Sequence, residues 1–168
     1  MEPVDITVFY LEMHSPLRRI VPPPRDGLAV TLVPSPSVAY YRSLYNAVGE
    51  DYRWLSRRKM SDETLAGIIG DPQIEMHVLS VDGAPAGFVD LDRRQPGEIE
   101  IVQFGLMPGY LGQGLGRWFL QWTIDQAWSY APKRLWLHTC TLDHPGALPN
   151  YLKSGFVEYK QEVVRREY

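Results

Sequence analysis

The sequence contains a single cysteine, Cys140, among its 168 residues. One thiol cannot form an intrachain disulfide and cannot by itself build a multi-cysteine zinc site. No apolar run approaches the roughly 18 residues of a membrane span, and the first residues are acidic where a signal peptide is basic. We therefore expect a cytoplasmic protein that does not insert into membranes and holds no metal.

A large excess of charge of either sign is also missing. The 17 Lys and Arg residues and 20 Asp and Glu residues give a formal net charge of -3, and nucleic-acid binders instead concentrate positive charge to neutralise phosphates. We therefore expect no nucleic-acid partner. The small negative balance is compatible with a cationic, amine-bearing substrate, although it is too weak to identify one.

The length and the composition, 45% hydrophobic and 22% charged, are typical of one globular domain. Alternating residues predict a strand over 6–13, which the prolines at 16 and 22–24 end. We expect residues 1–25 to form an extension in which an extra strand joins a sheet edge, followed by a stiff proline-rich segment. A role of this extension in a homodimer is a hypothesis.

Serine caps and an Asp-Gly turn indicate how the first half of the domain is built. Ser37 is positioned as the N-cap of one helix, and Ser61 or Asp62 as the N-cap of a second. The Asp82-Gly83 pair is typical of a hairpin turn between two strands. The strands are predicted over 28–33, 74–81, 86–92 and 98–107, the last three antiparallel.

The strand over 98–107 carries two features of interest. Its alternation places Glu100, Val102 and Phe104 on one face. Gly105 is predicted to mark a bulge where this strand separates from its neighbour.

A glycine-rich stretch from Gly109 to Arg117 follows this strand and leads into an apolar helix predicted over 115–130. Glycines at 112, 114 and 116 let a bulky anion approach the main-chain N–H groups. The first N–H groups of a helix have no internal partner and lie at the positive end of its dipole. The stretch therefore indicates a phosphate-binding loop.

Other glycine-rich loops fit less well. A P-loop requires Lys and Ser or Thr where Leu115 and Gly116 stand, and a dinucleotide fingerprint requires glycine where Phe119 stands. A glycine-rich turn that binds no ligand remains an alternative.

The second half continues with a strand over 133–140, which a right-handed crossover should place parallel to the 98–107 strand. A short helix over 145–154, capped by Asp143 or His144, and a closing strand over 157–164 complete the chain. His138 and Cys140 are expected to pack within the fold, without a metal-binding or nucleophilic role.

Two motifs resemble those of the GNAT superfamily of acetyltransferases. Residues 111–116, Leu-Gly-Gln-Gly-Leu-Gly, resemble motif A, Gln/Arg-x-x-Gly-x-Gly/Ala, with Leu111 as the departure. Tyr151, followed four and five residues later by Gly155 and Phe156, resembles motif B. The two occur in the family's order, about 40 residues apart.

The resemblance implies an α/β fold with a mixed, largely antiparallel central sheet, a splayed pair of parallel strands and about four helices, over residues 26–168. It implies an N-acetyltransferase that uses acetyl-CoA as co-substrate and acts on the amine of a small molecule or peptide. The alternative is a module of the same fold that binds or senses acyl-CoA without turnover.

The resemblance also implies site residues. Glu100, eleven residues before Leu111, is the expected general base, and Tyr151 is the expected proton donor to the coenzyme sulfur. Trp54, Arg57 and His144 are expected to contact the acceptor, with core packing for Trp54 and a solvated edge for Arg57 as alternatives. The expected coenzyme-binding residues are Phe104, Leu106, Leu111, Gly112, Gln113, Gly114, Leu115, Gly116, Arg117, Asn150 and Lys153.

Overall fold

A computed structural model describes residues 2–167 of the chain. Within them one sheet of seven strands is combined with four α-helices. The elements in chain order are β1 Val4–Met13, β2 Leu28–Val33, α1 Val38–Gly49, α2 Asp62–Ile69, β3 Ile74–Val81, β4 Ala84–Asp92, β5 Glu98–Leu106, α3 Leu115–Trp128, β6 Arg134–Cys140, α4 Ala147–Lys153 and β7 Val157–Arg166. The strand order β2-β3-β4-β5-β6-β1-β7, with β5 and β6 parallel, confirms the predicted fold class.

The first strand lies inside the sheet. β1 pairs antiparallel with both β6 and β7, so that Val8 is opposite Cys140 on one side and Glu162 on the other. The predicted position at a sheet edge is therefore wrong. An alternating apolar pattern shows that a segment is a strand but carries no information on how many neighbours it pairs with.

The parallel strands β5 and β6 separate after a short ladder. Their pairing runs from Glu98 opposite Arg134 to Ile101 opposite Leu137 and then stops, although β5 continues to Leu106. The predicted splayed pair is confirmed. Backbone groups beyond Ile101 on the β6 side of β5 are therefore available to a ligand.

The bulge in β5 lies at Val102, and the prediction at Gly105 is wrong. Leu91 of β4 is opposite Ile101 and Asp90 is opposite Gln103, so Val102 has no partner. The extra residue reverses the alternation that follows it.

Phe104 consequently stacks on Phe119 of α3, with a centroid distance of 5.3 Å, and joins the core cluster of Ile99 and Ile101. The predicted sharing of one face by Glu100 and Phe104 is wrong for the same reason. Gly105 is needed for space, because a Cβ there would lie 2.5 Å from Cγ1 of Val48.

Of three predicted helix N-caps, two are confirmed and one is wrong. The hydroxyls of Ser37 and Ser61 accept the N–H groups of Tyr40 and Thr64, each at 3.1 Å, which confirms both caps. α4 has Gly146 at its N-cap position and no side-chain cap, so the predicted cap by Asp143 or His144 is wrong. His144 Nδ1 accepts the Gly146 N–H at 2.9 Å, and Asp143 turns back to β6.

Two hydrophobic layers hold the helices to the sheet. The apolar side of α3, including the fully buried Phe119 and Leu120, packs with residues of the central strands. On the opposite face Tyr41 and Tyr45 of α1 pack with Phe88 of β4.

No helix within residues 2–167 is long and apolar enough to span a bilayer.

Candidate functional site

The separation of β5 and β6 opens two adjoining cavities. The first, which we call the loop cavity, has a volume of 270 Å³ and lies between the end of β5, the glycine-rich loop, the start of α3 and α4. The second, which we call the strand cleft, has a volume of 520 Å³ and lies between residues 101–104 of β5, residues 138–140 of β6 and the segment 52–60. Five residues line both cavities, namely Tyr52, Trp54, Phe104, Asp143 and Tyr151.

The glycine-rich loop presents main-chain donors to the loop cavity. Gly112 and Gly114 have φ angles of 74° and 79°, a region that favours glycine. Within the described chain, the N–H groups of residues 112–117 donate to no protein acceptor, and α3 has no side-chain cap. These donors at the start of a 14-residue helix form a site suited to a phosphate or diphosphate.

Most of the predicted coenzyme-binding residues meet at this cavity. Those that line it are Phe104, Leu106, Leu111, Gly112, Gly114, Gly116, Arg117 and Asn150. The Asn150 side chain also donates to the Gly116 carbonyl at 3.3 Å and so ties α4 to the first turn of α3.

Three of the predicted residues lie elsewhere. Gln113 donates its side-chain amide to the Gly109 carbonyl at 3.2 Å and stays on the loop. Leu115 is buried in the core, so that only its main chain is available to a ligand. Lys153 is exposed at the end of α4, beyond the residues that line the loop cavity.

Tyr151 lies where the two cavities meet. Its ring packs against Phe104 and Phe156, with centroid distances of 6.2 and 6.1 Å, and only 7% of the residue is exposed. Its hydroxyl forms no hydrogen bond with another described residue. Burial, and then the nearby Asp143 carboxylate, raise the pKa of Tyr151 well above its ordinary value. The phenol therefore stays protonated and remains available as a hydrogen-bond donor.

Glu100 lies outside the two cavities, on the α1 side of the sheet. Burial raises the pKa of Glu100 to about 7, and the Asp92 carboxylate adds to the rise while Arg57 and Arg94 oppose it. A carboxyl group with this pKa is suited to accept a proton near neutrality. Because Glu100 does not line the cavities, a proton from the strand cleft would have to reach it through water.

Arg57 is buried beneath the strand cleft. Its Nη1 donates to the Tyr41 hydroxyl at 3.1 Å and lies 3.5 Å from Oδ2 of Asp90, which is also buried. Only 7% of Arg57 is exposed, so the alternative of a solvated edge does not hold.

The other two expected acceptor contacts, Trp54 and His144, do not line the same cavities. Trp54 packs on Tyr45, with a centroid distance of 5.5 Å, and its Nε1 donates to Oδ1 of Asp143 at 3.4 Å. Trp54 thus packs against the core and also lines both cavities, and its contact with an acceptor stays a prediction. His144 lines the loop cavity and is absent from the lining of the strand cleft.

His138 and Cys140, for which packing roles are predicted, both line the strand cleft. His138 packs beside Tyr10, with a centroid distance of 5.7 Å. Desolvation and then the Arg166 cation lower the pKa of His138. Burial, followed by Asp143, raises the pKa of the Cys140 thiol, which works against thiolate formation.

Residues 14–27, which we call the strap, dock against α3, α4 and the glycine-rich loop, a position that the sequence does not predict. Arg19 donates to Gln121 of α3 at 2.9 Å and to the carbonyl of Lys153 and hydroxyl of Ser154 at 3.1 and 2.7 Å. Pro24 lies beside Gly114, where a Cβ would approach it to 3.3 Å. The proline-rich composition predicts stiffness but does not reveal where the segment docks.

Comparisons with known proteins agree with this architecture. Residues 41–156 match the model of the acetyltransferase (GNAT) family. No curated protein sequence matches the chain.

Solved structures with the same fold have low sequence identity. A GCN5-related N-acetyltransferase from Sphaerobacter thermophilus has 19% identity and a TM-score of 0.65, over 99% of this chain and 52% of that protein. A conserved protein of unknown function from Staphylococcus epidermidis ATCC 12228 has 20% identity and a TM-score of 0.63, over 96% and 60%. This chain thus spans less than two thirds of either protein.

The ribosomal-protein-S18-alanine N-acetyltransferase from Escherichia coli has 20% identity and a TM-score of 0.63, with 79% of each chain covered. These likenesses show the fold. The family match spans more than half of the sequence and includes β5, the glycine-rich loop, α3 and Tyr151. The chain therefore belongs to the GNAT acetyltransferase family.

Proposed function

We propose that this protein is an N-acetyltransferase that moves an acetyl group directly from acetyl-CoA to a primary amine. The observation that carries the proposal is the junction of the two cavities at Tyr151. A diphosphate held by the N–H groups of residues 112–117 would occupy the loop cavity, and a neighbouring cleft is available for an acceptor.

The residues at the end of β5 are suited to orient the thioester. The Met107 N–H donates to Ala86 of β4 at 2.7 Å. Because N–H groups alternate along a strand, the Leu106 N–H points to the other side, where β6 has already separated. This N–H is placed to hold the thioester carbonyl oxygen as negative charge develops there.

The transfer needs two proton movements. The thioester supplies an activated acetyl group, and the amine lone pair attacks its carbonyl carbon while the C–S bond breaks. The thiolate takes a proton from Tyr151, and the amine gives up its proton through water to Glu100. Protons balance, and the starting protein is restored, once Glu100 releases its proton to solvent and the Tyr151 phenolate recovers one from solvent.

A second candidate function, sensing of acyl-CoA without turnover, is favoured by the position of Glu100 outside both cavities. The two functions differ in one measurement. Release of free thiol from acetyl-CoA in the presence of a panel of primary amines supports the transferase. Binding of acetyl-CoA without release of thiol supports the sensor.

Substitution of Tyr151 tests its role in the transfer. We expect Tyr151→Phe to lower kcat by about 10²-fold, the usual contribution of a positioned acid, while the Kd for acetyl-CoA stays within about twofold of the parent. Thiol release gives kcat and calorimetry gives Kd. Tyr40→Phe, on the surface of α1, is the control. A parallel loss of kcat and affinity would remove Tyr151 from the chemistry.

A further inference from the structure

The strand cleft has an electrostatic character opposite to that of the whole chain. Its lining includes four cationic residues and two carboxylates, although the chain has a net charge of -3. The cations are Arg53, Arg57, Lys59 and Arg166, and the carboxylates are Asp143 and Glu167. The local field therefore favours an anionic group in the cleft.

Arg57 is built into this lining in a fixed orientation. Nη1 is engaged by Tyr41 and Asp90, and the Arg57 main-chain N–H donates to the Tyr45 hydroxyl at 3.3 Å. Nε and Nη2 have no hydrogen-bond partner among the described residues. Neither atom is completely buried. This edge of the guanidinium therefore faces the cleft, and its two donors suit the oxygens of a carboxylate or phosphate.

The Asp90 carboxylate beside Arg57 offsets one of the positive charges, and the cations around the cleft still outnumber the carboxylates. Asp143 accepts hydrogen bonds from the Thr139 hydroxyl, the Cys140 N–H and the Trp54 indole, so its carboxylate is engaged within its own loop. Lys59 and Arg166 form no ion pair with a described residue, and both are exposed. Two uncompensated cations thus flank a cleft whose wall presents guanidinium donors.

We propose, on the basis of the proposed transferase function, that the acceptor is a small amine that also carries a carboxylate or phosphate. Arg57 binds this anionic group on the wall of the cleft, and Lys59 and Arg166 attract it at the rim. A volume of 520 Å³ is in the range of small-molecule sites. Holding the anionic group fixes the position of the amine relative to Tyr151.

Matched compounds test this inference. Alanine and alaninamide differ in the carboxylate, and phosphoethanolamine and ethanolamine differ in the phosphate. We expect kcat/KM, corrected for the free-amine fraction, to be at least tenfold higher for the anionic member of one pair or both, and the preferred pair distinguishes carboxylate from phosphate. Equal values within both pairs, or a preference for the uncharged members, would overturn the inference.

Variants and binding measurements separate this inference from the transferase proposal. We expect Lys59→Met and Arg166→Met each to raise KM for the preferred anionic amine about tenfold, with kcat, KM for its uncharged analogue and the Kd for acetyl-CoA unchanged. Arg58→Met is the control, because Arg58 donates to Asn46 on the surface and does not line the cleft. Equal effects on both members of the pair would contradict the inference.

Calorimetric titration of the protein with the four compounds, in the presence of CoA, gives a reading that does not require turnover. A preference for the anionic compounds without acetylation would support the binding site and contradict the transferase. Acetylation without such a preference would support the transferase and contradict the anion-binding site.

Discussion

Glu100 illustrates how a single residue can hold a property that its sequence neighbours do not reveal. Its position eleven residues before Leu111 indicates a functional carboxylate only through the family resemblance. Its pKa of about 7 arises from burial, from Asp92 on β4, and from the opposing cations Arg57 and Arg94. These neighbours come from separate parts of the chain, so the sequence could not predict the shift.

The pH dependence of turnover tests the role of Glu100. A base with a pKa of about 7 is mostly protonated below pH 7, so we expect kcat/KM of the parent to rise through this region and to level off above it. We expect Glu100→Gln to lose activity chiefly near neutrality. The midpoint of its kcat/KM profile should rise to the pKa of the amine itself, because the amine must then lose its proton to solvent. Initial rates between about pH 5 and 10 give both profiles.

Glu98→Gln is the control, since Glu98 lies on the same strand with a side chain that is 42% exposed. A profile of Glu100→Gln that superimposes on the parent would contradict the assignment of Glu100 as base.

At the scale of elements, the turn from the glycine-rich loop into α3 carries the proposed phosphate-binding site. We expect Gly114→Val to weaken acetyl-CoA binding more than tenfold, because a β-branched residue is strained at a φ of 79° and its Cβ would press on Pro24. Calorimetry gives the Kd, and circular dichroism confirms that the variant is folded. Gly109→Ala is the control, since its Cβ meets no atom within 4 Å. Unchanged affinity in a folded Gly114→Val protein would contradict the phosphate-binding role.

The elements themselves were largely predictable, because each has a local cause. The Asp82-Gly83 turn, the caps at Ser37 and Ser61, and the apolar face of α3 depend on residues close together in sequence. The bulge at Val102 was not predictable, since it arises from the register that β5 adopts against β4. The two cavities follow from that register and from the end of the β5–β6 ladder, so only their glycine loop and Tyr151 carried a sequence signal.

At the scale of the whole molecule, a buried carboxylate links the sheet to the segment that follows α3. Glu75 of β3 accepts from Arg93 at 2.7 Å, from the Tyr130 hydroxyl at 2.5 Å and lies 2.9 Å from Nε2 of His77. Burial alone would raise the pKa of Glu75, but the hydrogen bonds from His77 and Tyr130 and the charge of Arg93 lower it to about 2. The native state therefore favours the ionised form.

This shift predicts how stability depends on pH. The folded-state pKa is below the unfolded value of 4.5, so the stabilisation is present above about pH 4.5 and is lost as the pH falls toward 2. We expect Glu75→Gln to lower the free energy of unfolding at pH 7 by up to about 3 kcal/mol, with a difference that shrinks toward pH 2. Urea unfolding at several pH values measures it, with Glu158→Gln as control. A difference independent of pH would contradict the electrostatic origin.

The interior position of β1 predicts the effect of removing the start of the chain. We expect deletion of residues 1–25 to abolish cooperative thermal unfolding, because β6 and β7 would lose the strand that joins them and the core would lose Leu11 and Met13. Calorimetry and circular dichroism measure the transition. Asp5→Ala, an exposed position on β1, is the control. A truncated protein with an unchanged transition would contradict this structural role.

The same arrangement has a consequence for the order of assembly during synthesis. β1 leaves the ribosome before β2 to β5, and before its own partners β6 and β7. The nascent β1 therefore has both hydrogen-bonding edges unpaired while the β2–β5 hairpins can already form. Its long-range pairing with β6 and β7 is slow. We therefore expect β1 to complete its pairing in the sheet only after β7 has emerged from the ribosome.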